Sequence, residues 1–268
     1  SRPHTSIGAG FHSDFYLDHD NNGYRYLFRE KDKETGECKA VFSKNGKGDI
    51  TKFLDDYLDE LKAIKGKGYI SFITCNHDTP RMTKMFSPLE AKLAYSFVFL
   101  MPGVPFLYYG DEIGMKFMEG LQSKEGGFSR TGTRTPMQWD DSANHGFSTA
   151  SADKLYLPVD TSADAPTVSA QEKDEDSILN TIRKVIKLRH ENEDLQSDGD
   201  FEVVYAESGK YPFIFKRGKF VIAVNPTDKE QKAPCKFDGE QVFAIGKACV
   251  ENEEITMLPQ SLVVIKVD

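Results

Sequence analysis

No apolar run in these 268 residues approaches the twenty or so needed to cross a bilayer, so no segment reads as a transmembrane helix. Basic residues are in the minority: 34 lysines and arginines stand against 42 aspartates and glutamates, giving a formal charge of −8 and an isoelectric point near 5.4. That balance excludes a nucleic-acid partner, since such binding rests on basic patches that neutralise phosphate. Cysteine is scarce, and Cys38, Cys75, Cys235 and Cys249 form no close pair and none of the spacings that hold zinc. Free thiols in a reducing compartment are expected, with a cytoplasmic localisation. No metal and no cofactor is expected, and there are no internal repeats or low-complexity tracts. What remains suffices for a packed core: 39% of residues are hydrophobic, with 19 Phe and 11 Tyr.

The most informative stretch runs from Gly68 to Arg81, where a short apolar run ends in Asn76, His77 and Asp78. Ile70, Phe72, Ile73 and Cys75 read as a fully buried parallel strand flanked by Gly68 and Pro80. Polar groups gathered at the C-terminal end of such a strand are where a (β/α) barrel carries its chemistry, so Asp78 is the candidate catalytic carboxylate. The competing reading is a turn in which Asn76 and Asp78 bond their own backbone. Ser87-Pro-Leu-Glu90 then has the form of a capping box, and Leu89, Leu93, Ala94, Phe97 and Val98 repeat at helical spacing up to Pro102-Gly103. A further apolar run at 104–109 completes a strand, helix, strand unit of a parallel sheet.

Three blocks taken together resemble the α-amylase family of retaining glycosidases, glycoside hydrolase family 13. They are Asn76-His77-Asp78, Met101-Pro-Gly-Val-Pro-Phe-Leu-Tyr-Tyr-Gly-Asp-Glu-Ile-Gly-Met115 and Arg134-Thr-Pro-Met-Gln-Trp-Asp140, in the family's order. The last is most similar to the branch holding oligo-1,6-glucosidases, α-glucosidases, sucrose isomerases and trehalose synthases. The resemblance implies an α/β fold: the C-terminal part of a (β/α)8 TIM barrel over residues 1–196, then a small all-β antiparallel domain over 197–268. It implies an α-glucoside or α-glucan substrate, with Asp78 as transition-state stabiliser and His77, Arg130 and Arg134 binding sugar. The family's nucleophilic Asp and acid/base Glu have no match here, so the chain is expected to be an inactive half of an enzyme. Its three barrel strands, near 11–17, 69–75 and 104–109, leave edges expected to pair with the missing half or a second copy. Gly10-Phe-His-Ser-Asp14 looks like the nucleophile motif, but His12 replaces its arginine, and this segment fits the sixth strand better. Two other parents stay open: a transglycosylase such as trehalose synthase, or a non-catalytic relative of the transporter-associated or carbohydrate-binding kind.

Punctuation organises the rest. Asp49 can cap a helix with Ile50, Phe53, Leu54, Tyr57, Leu58 and Leu61 on one face, ending before Gly66. Residues 116–174 are rich in Gly, Ser, Thr and Asp without periodicity, which suggests a long functional loop over the site. Ile178, Ile182, Val185, Ile186 and Arg189 mark the last helix, capped by Asp176 or Ser177. Beyond it the period becomes strand-like at 201–206, 211–216, 220–225, 241–245, 254–257 and 261–267. Asp18-His-Asp-Asn-Asn-Gly23 opens like a calcium loop, but Arg29 stands where a bidentate Glu is needed, so a polar turn is expected. His12, His19, His145 and His190 lack metal-ligand spacing, and Asp111 and Glu112 read as structural.

Overall fold

The structure is a computed structural model that describes residues 2–16, 22–124 and 130–268. Its first part runs α1 (Pro3–Gly8), β1 (Ser13–Tyr16), α2 (Gly23–Phe28), α3 (Ile50–Ile64), β2 (Tyr69–Phe72) and α4 (Pro88–Leu100). Strands β1 and β2 pair in parallel from Ser13↔Tyr69 to Tyr16↔Phe72. The run at 104–109, expected as a strand, is only a strand-like segment with one parallel bridge, Ile73↔Phe106. Val104 N–H donates to the Ile70 carbonyl at 3.0 Å and Phe106 N–H to that of Phe72 at 2.7 Å. Thr74 N–H donates back to the Phe106 carbonyl at 3.0 Å, and the ladder stops after it because the next amide, Tyr108 N–H, turns to the Thr74 hydroxyl at 3.2 Å instead of a backbone carbonyl.

Aromatic residues join this sheet to its helices. Tyr16 and Phe72 on the strands, Tyr24 and Phe28 on α2, Phe53 and Tyr57 on α3 and Phe97 on α4 are all fully buried. Their rings meet edge-on or stacked, with Phe53 and Tyr57 at 4.9 Å and Tyr16 and Phe72 at 5.7 Å, contacts that add to the burial of apolar area. Asp49 caps α3 by accepting from Thr51 N–H at 3.0 Å. Leu58, expected on the buried face of α3, is 39% exposed, while Glu60 is buried in its stead. Helix α1 covers Glu60, which accepts from the His4 backbone N–H at 2.9 Å and faces the His4 ring at 2.7 Å.

The capping box at the start of α4 is complete. Glu90 N–H donates to Ser87 Oγ at 3.3 Å, Ser87 N–H returns to Glu90 Oε2 at 2.7 Å, and Lys44 N–H reaches Glu90 Oε1 at 2.7 Å. Glu90 thus satisfies one donor more than Ser87 does. Ser87→Ala is expected to cost about 1 kcal/mol, as a lost cap does, and Glu90→Ala about 2 kcal/mol because two amides lose their acceptor. Urea midpoints check this, and equal losses would contradict it.

Two further helices complete the helical part: the short α5 (Val168–Glu172), inside the segment expected to be all loop, and α6 (Ile178–Glu191), capped by Ser177. Helix α6 packs on α4, and Arg189 on its buried face is not a surface cation. Its guanidinium donates to the carbonyls of Phe99 at 2.8 Å, Met101 at 2.7 Å and Gly103 at 2.6 Å, which the end of α4 leaves without helical partners. Burial lowers its pKa to about 10.

The remaining strands are β3 (Glu202–Tyr205), β4 (Phe213–Arg217), β5 (Phe220–Asn225), β6 (Gln231–Pro234), β7 (Glu240–Ile245), β8 (Ala248–Glu251), β9 (Glu254–Met257) and β10 (Ser261–Lys266). They form a five-stranded sheet, β3-β4-β5-β10-β7, and a three-stranded sheet, β6-β9-β8, with every pairing antiparallel. Alternation along the central strands decides what each face meets. Phe220, Ile222, Val224, Leu262 and Val264 join the core shared with the helices, whereas Val221, Ala223, Val263 and Ile265 pack with Ala233, Ile255 and Met257 of the second sheet.

Candidate functional site

The turn after β2 is built by Asn76. Its Oδ1 accepts from Asp78 N–H at 2.8 Å and Thr79 N–H at 2.9 Å, while Thr79 Oγ1 accepts from Asn76 N–H at 3.0 Å. So the competing reading of this motif as a self-bonded turn holds for Asn76. It fails for Asp78, whose carboxylate turns away from the backbone to Arg130 Nη1, to Arg134 Nη2 at 3.1 Å and to His77 Nε2 at 3.2 Å. Arg134 also donates through Nε to the His77 carbonyl at 2.8 Å. Three of the residues expected at the site, His77, Arg130 and Arg134, therefore meet at the fourth, Asp78, whose side chain remains 46% exposed. Two guanidiniums hold a carboxylate whose remaining lone pairs face solvent, an arrangement suited to accepting hydrogen bonds from hydroxyl groups.

Beneath this cluster lies a buried ion pair that the sequence pattern did not mark. Arg81 and Asp111 are both 0% exposed and meet at 2.8 Å through Nη1 and Oδ1. Asp111 Oδ2 accepts from Thr74 Oγ1 at 2.5 Å and Cys75 Sγ at 3.2 Å. Arg81 donates further to the Tyr109 carbonyl at 2.8 Å and the Thr133 carbonyl at 3.0 Å, and its guanidinium lies 5.3 and 5.2 Å from the Tyr108 and Tyr109 ring centres. Burial acts most strongly on the Arg81 pKa and lowers it, but the charge and hydrogen bond of Asp111 together with the nearby Cys75 and Tyr109 outweigh it, and the net shift is upward. The Cys75 thiol is pushed up by burial and by the same carboxylate, and burial lifts Tyr108 to about 12 and raises Glu112. Gly110, at φ 84°, admits this packing: a Cβ there would lie 2.3 Å from Met115 Sδ and 3.1 Å from Arg81 Nη2. The available signal was an arginine three residues past Asp78 and an acid framed by Gly110 and Gly114.

The segment from Lys116 onward carries both arginines to Asp78. Thr133 Oγ1 donates to the Thr79 carbonyl at 3.2 Å and Tyr109 OH to that of Thr135 at 2.7 Å, so 131–135 is fastened to both strand-end turns. Asp14, weighed as a nucleophile, sits within β1 opposite Ile70 rather than beyond the strand's end, and its Oδ1 accepts from Phe15 N–H at 2.8 Å. His145 is turned inward to the Asp160 carbonyl at 2.6 Å, and His12 and His190 are exposed. Residues 18–21 of the calcium-like stretch, with His19, lie outside the described residues, and Gly23 opens α2 with its N–H on Asp56 at 3.0 Å. Among the described residues no group of three or more His, Cys, Asp or Glu side chains could hold a metal ion, and no helix is long and apolar enough to cross a membrane.

Residues 10–198 match the family model of the alpha amylase catalytic domain. The chain is 30% identical over 164 residues to an alpha-glucosidase of Apis mellifera, covering 56% of this chain and 28% of that protein. It is 26% identical over 242 residues to a probable oligo-1,6-glucosidase of Bacillus subtilis, covering 76% and 41%. Among solved structures, an alpha-amylase from H. orenii superposes with a TM-score of 0.72 at 20% identity, over 98% of this chain and 50% of that one. The chain thus spans less than half the length of these two curated relatives.

Proposed function

Because the chain belongs to the α-amylase catalytic-domain family, we propose that it forms part of a retaining glycosidase acting on α-glucosides or α-glucans. In this reading residues 1–196 are the sixth to eighth strand units of a (β/α)8 barrel and 197–268 an antiparallel domain behind them. The observation that carries it is the half-exposed carboxylate of Asp78 at the end of a parallel strand, held by Arg130 and Arg134 and flanked by His77.

Retaining chemistry needs a carboxylate that attacks the anomeric carbon and an acid that protonates the leaving oxygen, through an oxocarbenium-like transition state. Asp78 does neither. It accepts hydrogen bonds from sugar hydroxyls that strengthen as the ring flattens, and His77 donates to the same unit, so both act by binding the transition state more tightly than the substrate. The attacking carboxylate and the acid come from residues outside this chain, in a longer protein. The 268 residues alone should therefore show no turnover of an α-glucoside, and release of the aglycone by the chain alone would sink the reading. In the longer protein His77→Ala should lose on the order of ten- to a thousand-fold in kcat, as when one stabilising donor is removed. An unchanged rate would make His77 a structural residue.

A further inference from the structure

We infer that Arg81 and Asp111 are positioning residues for Asp78, acting on it through residues 131–135. The inference rests on the reading of Asp78 as the sugar-binding carboxylate. Arg130 and Arg134, which hold that carboxylate, flank the single helical turn Thr131–Thr133. The carbonyl of Thr133, at the end of that turn, is bound by Arg81 Nη2, while Nη1 of the same guanidinium is bound to Asp111 and to the Tyr109 carbonyl. Arg81 itself is three residues past Asp78, in a turn fastened from the other side by Arg29, which donates to the Pro80 carbonyl at 2.6 Å. One planar group therefore fixes the relative places of the Asp78 turn, the 109–111 turn and the segment bearing both arginines.

Its immobility follows from chemistry. Asp111 collects donors from Thr74 and Cys75 as well as Arg81, and the pair is fully buried. The pair carries no net charge, and it acts on Asp78 through the contacts it fixes. Lysine in place of Arg81 keeps the charge and can still reach Asp111, but its one nitrogen cannot span Asp111, Tyr109 and Thr133 together.

The test uses Arg81→Lys. In this chain, hydrogen exchange at the Arg134 side-chain Nε–H and the amides of 131–135 should rise roughly tenfold, as loss of a charge-assisted hydrogen bond permits, while amides of β5 and β10 keep their rates. In the longer protein kcat should fall on the order of 10- to 100-fold, the effect of a small misplacement, with KM nearly unchanged. That loss should vanish in an Asp78→Asn background, since coupled residues are not additive. Exchange that rises equally everywhere, or a kinetic loss that adds in full to that of Asp78→Asn, would overturn the proposal. If Arg81→Lys does not fold, Asp111→Asn keeps one acceptor for Arg81 but removes the charge that holds its guanidinium in place, and its failure to raise exchange at 131–135 overturns the proposal instead. Failure of the functional reading looks different: Asp78→Asn would itself retain turnover while local exchange in Arg81→Lys still rose.

Discussion

Replacing Asp78 with asparagine in the longer protein is expected to lower turnover by roughly 10³- to 10⁵-fold, the scale seen when a charged catalytic-site carboxylate becomes a neutral amide of the same shape. Shape and one acceptor oxygen survive the change, so the Asn76 turn keeps its bonds to the backbone of residues 78 and 79. What disappears is negative charge at the point where two guanidiniums converge and a positively charged sugar ring develops. The fold should hardly notice. Asp78 is half-exposed, and ion pairs in such positions contribute between nothing and about 1 kcal/mol. A variant with near-normal turnover would remove Asp78 from the mechanism, and one that unfolds would make it a structural residue.

The largest stability effect is expected far from the site, at Arg217. Its side chain is fully buried at the end of β4 and donates to the carbonyls of Asp200 at 2.7 Å, Leu100 at 2.5 Å and Gln196 at 2.6 Å. These belong to the end of α4 and to the segment leading from α6 into β3, so one guanidinium joins the helices to the antiparallel sheet. Burial lowers its pKa to about 10, a sign that the charge gains less here than it would in water. Arg217→Met fills much the same space yet leaves the carbonyls of Leu100 and Asp200 without a donor, while that of Gln196 keeps the Gly199 N–H at 3.2 Å. At about 1–3 kcal/mol for each of the two groups left unpaired, less the relief of a desolvated charge, the loss should be about 2 to 4 kcal/mol. Urea unfolding followed by circular dichroism measures it. A change below about 1 kcal/mol would mean that water or local rearrangement replaces those bonds.

Local signals carried the elements that rest on local physics. Ser87 and Glu90 form the capping box their spacing predicts, Asp49 and Ser177 cap where expected, and Phe220–Asn225 and Ser261–Lys266 appear as strands with their alternation intact. Strands β6 and β8 were not legible because they lie at the two edges of their sheet and are four residues each: Lys232, Pro234, Cys249 and Glu251 are exposed, and Ala233, Ala248 and Val250 alone turn to the core, too few for a pattern to stand out. Helix α1 is too short for periodicity, and its docking on Glu60 is a contact across 56 residues that no window reveals. The same holds at the site. Asn76, His77 and Asp78 were visible as polar residues ending a buried strand, but the pairing of Arg81 with Asp111 joins positions 30 apart, and only the fold brings them together.

The central claim is that Asp78 stabilises the transition state rather than the bound substrate. The most direct measurement compares, in the longer protein and its Asp78→Asn variant, the affinity for glucose with that for a cationic iminosugar shaped like the oxocarbenium ion, by calorimetry at one pH. Loss of a carboxylate that faces developing positive charge should weaken iminosugar binding on the order of a thousandfold and glucose binding only a few fold. Equal losses for the two ligands would contradict the claim, because Asp78 would then bind substrate and transition state alike.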